Sequence, residues 1–339
     1  MTHKLVVCIR NITEDQKQAM RDAAQSRGWT CEIYDNKEEA LTAAKNAEVV
    51  FADSPRYALD APDLRWIISP SAGVNHFIKS DHFRESGVML SNSSGAYGVT
   101  IAEHIVMAAL TMLRRLPEYQ EHVRAKNWTR GYTLKSIKDA RITVIGTGDI
   151  GQEAARRLKG FGPERIVGVN TSGENPDAEL FDWAVPAATP GSTAPAGEPE
   201  NAAPAATLDA VLPETDILIM AIPATPLTYH LMNEKRLAML PDGALIVNVG
   251  RGTTIDEPAL IRELKSGRLR AALDVFEKEP IPEDSELWDC PNLLITPHVS
   301  GDMYLPYTVQ RIVDLFIEDF LRYTEGEKPL RFVDLGKGY

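Results

Sequence analysis

The sequence has no apolar run approaching the ~18 residues that a membrane-spanning helix requires, so a membrane-embedded chain is not expected. The first residues, MTHKLVVCIRNITEDQ, offer only a short apolar run before charge returns, and neither a signal peptide nor an anchor is expected there. Surplus positive charge is missing as well. Lys and Arg number 36 against 48 Asp and Glu, a net charge of -12, which argues against nucleic acid or an anionic membrane surface as a partner. A small anion can still be held by a few local cations. Cysteine is scarce: Cys8, Cys31 and Cys290 are odd in number, far apart and without metal-ligand spacing. That usage fits packing roles in a reducing compartment, hence a cytoplasmic protein with no metal site.

What the sequence does have is length and alternation. At 339 residues the chain exceeds one comfortable core, and two domains are the default. Short apolar runs recur between helical stretches: KLVVCIR, AEVVFAD, LRWIISP, RITVIGTG, RIVGVN, TDILIMAIP, GALIVNVG, LRAALDVF and NLLITPH. Strands this apolar, spaced by helices, predict parallel sheets covered on both faces. Thr100 to Leu116 reads as one helix, apolar on nearly every side, buried against a second domain and a second subunit. The stretch Ala187 to Ala206 is rich in Ala, Pro, Gly and Ser and reads as a mobile surface insertion.

In ARITVIGTGDIGQEAARRL a strand runs into Gly146, Gly148 and Gly151, spaced GxGxxG at the opening of a helix. The first glycine permits the tight turn, the second lets a pyrophosphate approach the backbone, and the third lets helix and strand pack closely. Free N–H groups and the helix dipole then face the phosphates. A second strand, RIVGVN, follows at the expected distance, so dinucleotide binding is the prediction.

Three more segments carry charge at predicted strand ends, where open α/β sheets place ligands. Arg251 follows ALIVNV between Gly250 and Gly252; a guanidinium there can grip a carboxylate through two parallel hydrogen bonds. His298 comes directly after ITP, placed to hand a proton to a cleft near neutral pH. Glu279, in EKEP, is a carboxylate that can orient it.

Together with SPSAGVNHF, GVTIAEHIVMAAL, IPATPLTYHLMN and LWDCPNLLITPHVSG, these segments resemble the D-isomer-specific 2-hydroxyacid dehydrogenase family nearly end to end. The resemblance implies two doubly wound parallel-sheet α/β domains: a Rossmann-type cofactor domain, residues 100–299, inserted into a flavodoxin-like substrate domain, residues 1–99 and 300–339. It implies that Arg251 binds the substrate carboxylate and 2-oxo group, with His298 as acid/base and Glu279 as its partner. Ala72, Gly73 and Val74 match the loop whose N–H groups hold the carboxylate, and Tyr97 a polar position close to substrate. Asp274 matches the acidic residue beside the nicotinamide; Ile222, Pro223 and Thr228 match the loop over the adenosine side. Asp149, Ile150, Val249 and Gly250 complete the cofactor set. The implied activity is hydride transfer between NAD(P)H and a small 2-oxo acid, giving a D-2-hydroxy acid, by a homodimer paired through the Thr100 to Leu116 helix. Tyr97, Met303 and Tyr304 as pocket residues would favour an apolar or aromatic substrate over a phosphorylated one.

The resemblance leaves alternatives. A branch of the family serves as a dinucleotide-sensing co-repressor, although no basic patch or long disordered tail accompanies the motifs here. Formate oxidation typically has glutamine at the position of Glu279. A short-form 3-phosphoglycerate dehydrogenase stays open. Cofactor choice is open too, because Asn170 stands where the NAD-preferring pattern has Asp. Asn170 removes a repulsion toward a 2′-phosphate, and Thr171 and Ser172 can donate neutral hydrogen bonds, which tips the reading to NADP. Against it, no Lys or Arg occurs between Arg165 and Lys235.

Overall fold

The computed structural model describes residues 3–187 and 207–336; the Ala/Pro-rich stretch beyond its first residue lies outside them. Two compact units result, Met1–Tyr97 with Gly301–Tyr339, and Gly98–Ser300.

The first unit is built on β1 (Lys4–Cys8), β2 (Thr30–Ile33), β3 (Val49–Ala52), β4 (Trp66–Ile68) and β5 (Met89–Ser91), in the flavodoxin-like order β2-β1-β3-β4-β5. All four pairings are parallel. Central β3 is buried at every residue, as a strand covered on both faces must be. Its helices are α1 (Glu14–Gln25), α2 (Lys37–Ala44), α3 (Asn75–Ile78), α4 (Asp81–Glu85) and the last of the chain, α11 (Pro306–Thr324). A reciprocal capping box starts α1, Thr13 accepting the Gln16 N–H and Gln16 the Thr13 N–H. Helix α11 closes one face of this sheet: Phe316 stacks on Phe51 at 4.3 Å, and Phe320 meets Trp29 edge-on at 5.3 Å.

The second unit opens with α5 (Gly98–Leu113) and α6 (Leu116–Arg124). Its strands are β6 (Arg141–Ile145), β7 (Arg165–Asn170), β8 (Trp183–Pro186), β9 (Ile217–Met220), β10 (Leu245–Asn248), β11 (Arg270–Leu273) and β12 (Leu293–Ile295). They pair in parallel in the order β12-β11-β10-β9-β6-β7-β8. The order reverses between β6 and β9, the switch point at which such sheets open a crevice beyond their carboxyl ends. Helices α7 (Asp149–Lys159), α8 (Leu208–Val211), α9 (Glu234–Met239) and α10 (Glu257–Lys265) complete the unit. Ile145, Val169, Leu218, Met220, Ile246 and Leu273 form part of its core.

Two expectations need correction. The helix read from Thr100 to Leu116 ends at Leu113, and Arg115 turns the chain in a left-handed conformation (φ 52°) before α6 begins. Pro117 explains the break, since proline lacks an N–H and its ring clashes with the preceding turn of a continuous helix. Much of the apolar surface of α5 is covered by α7, β10 and β11 of its own unit. The second correction is that three strands, β2, β5 and β8, lie outside the apolar runs read from the sequence. All three are sheet edges, where a strand has one neighbour and needs no continuous apolar run.

Candidate active site

The sequence-predicted cofactor and catalytic residues of the second unit gather at the carboxyl ends of its strands. Gly146 follows β6, Asn170 ends β7, Ile222 and Pro223 follow β9, Val249 to Arg251 follow β10, Asp274 follows β11 and His298 follows β12. The parallel sheet, not chain proximity, brings them to one edge.

At the glycine loop, Gly146 has φ +98° and donates its N–H to Val169 O. A Cβ on Gly151 would lie 1.9 Å from Gly146 O, whereas one on Gly148 would meet nothing within 4 Å. The first turn of α7 is thus pressed onto β6, and the backbone at Gly148, the N-cap residue, faces open space. That cradle fits a dinucleotide pyrophosphate at the amino end of α7, which carries Asp149 and Ile150. The Asp149 carboxylate lies against α5, where a Cβ on Gly98 would come within 2.5 Å of it.

Asn170 has more to do than leave out a charge. Its Nδ2 donates to Thr147 Oγ1 (2.9 Å) and Glu174 O (2.8 Å), while Oδ1 accepts the Gly173 N–H (2.7 Å). The amide therefore ties the turn after β7 to the glycine loop. Thr171 and Ser172 are exposed on that turn, and Ser172 Oγ is 3.3 Å from Asn170 Oδ1. Farther along, Thr228 Oγ1 donates to Pro223 O at 2.7 Å and folds the loop after β9 back on itself.

The catalytic candidates are knitted together by hydrogen bonds. Nδ1 of His298 lies 2.7 Å from Glu279 Oε2, and Glu279 Oε1 accepts the Phe276 N–H at 2.9 Å. With the carboxylate on Nδ1, the imidazole carries its proton there and leaves Nε2 for chemistry. His298 itself sits at φ +55°, a left-handed conformation that a non-glycine residue holds only when its surroundings enforce it. Asp274, 1% exposed, supplies that enforcement. Its carboxylate accepts Thr296 Oγ1 at 2.5 Å and the N–H groups of Val299 and Ser300 at 3.0 and 2.9 Å. His104 on α5 is 3.3 Å from Thr296 Oγ1, and burial lowers its pKa against the opposing pull of Asp274.

Arg251 is half-buried, and its Nη1 donates to Gly250 O at 2.7 Å. Burial lowers its pKa and the Glu279 carboxylate works against that; a guanidinium stays charged regardless. Among the described residues no carboxylate lies within ion-pair distance of Arg251, leaving it able to take an anion. Next to it, a Cβ on Gly252 would lie 1.8 Å from the Phe276 carbonyl carbon, so only glycine lets this loop pass the segment that carries Glu279.

Ala72, Gly73, Val74 and Tyr97 belong to the five-stranded unit. There the carbonyls of the loop are tied down one by one. Ser69 O accepts Ser93 Oγ (3.0 Å), Pro70 O accepts Tyr97 OH (2.7 Å), Ser71 O accepts the Ser93 N–H (3.2 Å) and Ala72 O accepts Asn92 Nδ2 (2.8 Å). The N–H groups of Ala72, Gly73 and Val74 find no partner among the described residues and are available to an anion. Tyr97 is buried and acts on the loop through its hydroxyl; Tyr304 is 72% exposed, and Met303 O accepts Asn11 Nδ2.

Sequence reading missed Asn92, Ser93, Thr296 and His104, and took Asp274 only as a cofactor residue. The polar run SNSSGAYG after β5 is the one signal that pointed to the carbonyl clamp.

A family model described as the NAD binding domain of D-isomer specific 2-hydroxyacid dehydrogenases matches residues 106–300. The chain is 33% identical over 246 residues to glyoxylate/hydroxypyruvate reductase B of Pectobacterium atrosepticum, covering 71% of this chain and 70% of that protein. Among solved structures, a D-isomer specific 2-hydroxyacid dehydrogenase family protein from Aeromonas salmonicida superposes with TM-score 0.81 at 28% identity, over 99% of this chain and 100% of that one. An NADPH-dependent glyoxylate/hydroxypyruvate reductase from Sinorhizobium meliloti, in complex with NADP and sulfate, gives 0.77 at 25% identity over 100% of both chains.

Proposed function

The chain belongs to the D-isomer specific 2-hydroxyacid dehydrogenase family, and from that premise we propose that it reduces a small 2-oxo acid, glyoxylate or hydroxypyruvate in the first instance, to the D-2-hydroxy acid. It is an NAD(P)-dependent oxidoreductase. The observation that carries the catalytic reading is the His298–Glu279 pair, on a turn held by Asp274 at the carboxyl edge of a parallel sheet.

A reduced dinucleotide held at the glycine loop would supply the hydride. Gly146, Gly148, Asp149, Ile150 and Gly151 would hold its pyrophosphate, and Asn170, Thr171 and Ser172 its adenosine ribose. Ile222, Pro223, Thr228, Val249, Gly250 and Asp274 would complete the cofactor walls. Glu279 keeps the His298 proton on Nδ1, so a second proton, on Nε2, is the one given to the 2-oxo oxygen. Arg251 grips the carboxylate and stabilises negative charge growing on that oxygen. The N–H groups of Ala72, Gly73 and Val74 are proposed as donors to a substrate carboxylate.

NADP is the proposed preference, on the strength of Asn170. A homodimer and a cytoplasmic location belong to the same proposal. Met107, Leu116, Val123 and Trp128, exposed apolar side chains on α5, α6 and the loop that follows, support a covered surface there. The three cysteines are free, and among the described residues no helix is long and apolar enough to cross a membrane. The test is a panel of glyoxylate, hydroxypyruvate, pyruvate, 2-oxoisocaproate and phenylpyruvate with NADPH and with NADH, following the loss of reduced-nicotinamide absorbance. Turnover of glyoxylate or hydroxypyruvate at micromolar to millimolar KM is expected; tight dinucleotide binding with no turnover of any acid would sink the proposal.

A further inference from the structure

Within the five-stranded unit, Asp53 follows β3 and collects three donors beneath the proposed carboxylate loop. Ser69 Oγ lies 2.6 Å from Oδ1, His76 Nε2 3.0 Å from Oδ1 and Ser71 Oγ 3.0 Å from Oδ2. Burial on its own would raise the Asp53 pKa, but the hydrogen bonds from His76, Ser69 and Ser71 bring it below the ordinary value. The side chain keeps 39% exposure, so this carboxylate is an anion that also faces outward. Its partners are two hydroxyls and an imidazole, none of them a lysine or arginine.

Position gives that charge a consequence. Ser71 is the chain neighbour of Ala72, the first of the three available N–H groups, so the Asp53 carboxylate is one residue removed from the place where a substrate carboxylate would sit. Tyr97, whose hydroxyl holds the same loop at Pro70 O, has its pKa raised by burial and by the charges of Asp53 and Asp302, so negative charge is felt where the loop is held. Three N–H groups can hold one carboxylate against this field. A second anionic group meets the field with no such donors.

We propose that Asp53 is a specificity-determining residue, a fixed negative charge that restricts the enzyme to 2-oxo acids bearing a single anionic group and disfavours those with a second carboxylate or a phosphate. The inference rests on reading Ala72 to Val74 as the substrate-carboxylate loop. It adds repulsion against the wrong substrate to attraction for the right one.

The experiment compares acids matched in length, 2-oxopentanoate with one charge and 2-oxoglutarate with two, in the wild type, Asp53→Asn and Asp53→Glu. In Asp53→Asn the kcat/KM ratio of 2-oxoglutarate to 2-oxopentanoate rises about tenfold, the order expected for one like-charge contact near a protein surface; in Asp53→Glu it stays within about twofold of wild type. Inhibition constants of oxamate and oxalate against glyoxylate give the same comparison without turnover of the longer acids, the oxalate-to-oxamate ratio falling in Asp53→Asn. If Asp53→Asn is too unstable to assay, Asp53→Ser, which keeps a small polar group, takes its place. Wild-type protein reducing none of these acids overturns the loop reading and the charge filter together. An unchanged ratio in a neutral variant that still reduces glyoxylate overturns the filter alone.

Discussion

Replacing Asp274 by asparagine changes one heavy atom in a side chain that is 1% exposed and whose hydrogen bonds go to the residues flanking His298. Its carboxylate accepts one hydroxyl and two N–H groups from Thr296, Val299 and Ser300. An amide can accept at Oδ1 only, and it turns an NH2 toward groups that are themselves donors. Two charge-assisted bonds at roughly 1.5–3 kcal/mol each are lost or weakened. If half of that is recovered by relaxation, about 1.5–3 kcal/mol stays as disorder in the turn that holds His298 at φ +55°. When the turn must be re-ordered for each proton transfer, the rate falls about 10- to 150-fold. Steady-state kinetics with NADPH and glyoxylate, beside a dinucleotide titration by fluorescence, separates the possibilities. The reasoning predicts a fall in kcat with the dissociation constant of the dinucleotide within about threefold. A normal kcat with a much weaker dinucleotide would refute it and return Asp274 to a direct cofactor role.

Other expectations follow from the same geometry. His298→Gln lowers kcat by about 10²–10⁴-fold, the span typical of a lost general acid, while calorimetry finds dinucleotide binding nearly intact; turnover near the wild-type rate would remove His298 from the mechanism. In Asn170→Asp a carboxylate replaces the amide that binds Thr147 and Glu174 O, and the kcat/KM ratio of NADH to NADPH rises about tenfold. An unchanged ratio means that Asn170 shapes the turn without selecting the cofactor. Asp216 takes two bonds from the Arg141 guanidinium and one from its N–H, which bring its pKa below 3.8 against the opposing effect of burial. The stabilisation is therefore complete above pH 3.8 and is lost as pH falls through the lower folded value. Asp216→Asn should melt a few degrees below wild type at pH 7, with the gap closing toward pH 3 and below; a gap independent of pH would show that charge is not its source.

The interior of both sheets was legible because strands buried on two faces must be apolar throughout: KLVVC, RITVI, ILIM and LIVN admit little else. Edge strands escape that rule, and TCEI in β2 reads as ordinary amphipathic sequence. Arg251, Glu279 and His298 were legible as residue types at strand ends. The means of holding them was not. Asp274 is 22 and 25 residues away from Thr296 and Val299, and no local pattern says that one carboxylate will organise another strand's turn. His230 illustrates the limit from the other side: it too lies at 2.7 Å from a glutamate, Glu277, and at positive φ. Only the loop around it, bonded back to Thr253, sets it apart from the histidine after β12.

The stacking of Phe316 on Phe51 makes the first unit a structure whose two parts are synthesised far apart in time. When β3 leaves the ribosome, the aromatic face that will cover it has not been translated, and the whole seven-stranded unit is made in between. At ~5–20 residues per second the wait is on the order of tens of seconds, during which Phe51 and its neighbours have only nascent chain and chaperones for company. The unit that begins the protein is therefore the one that finishes last.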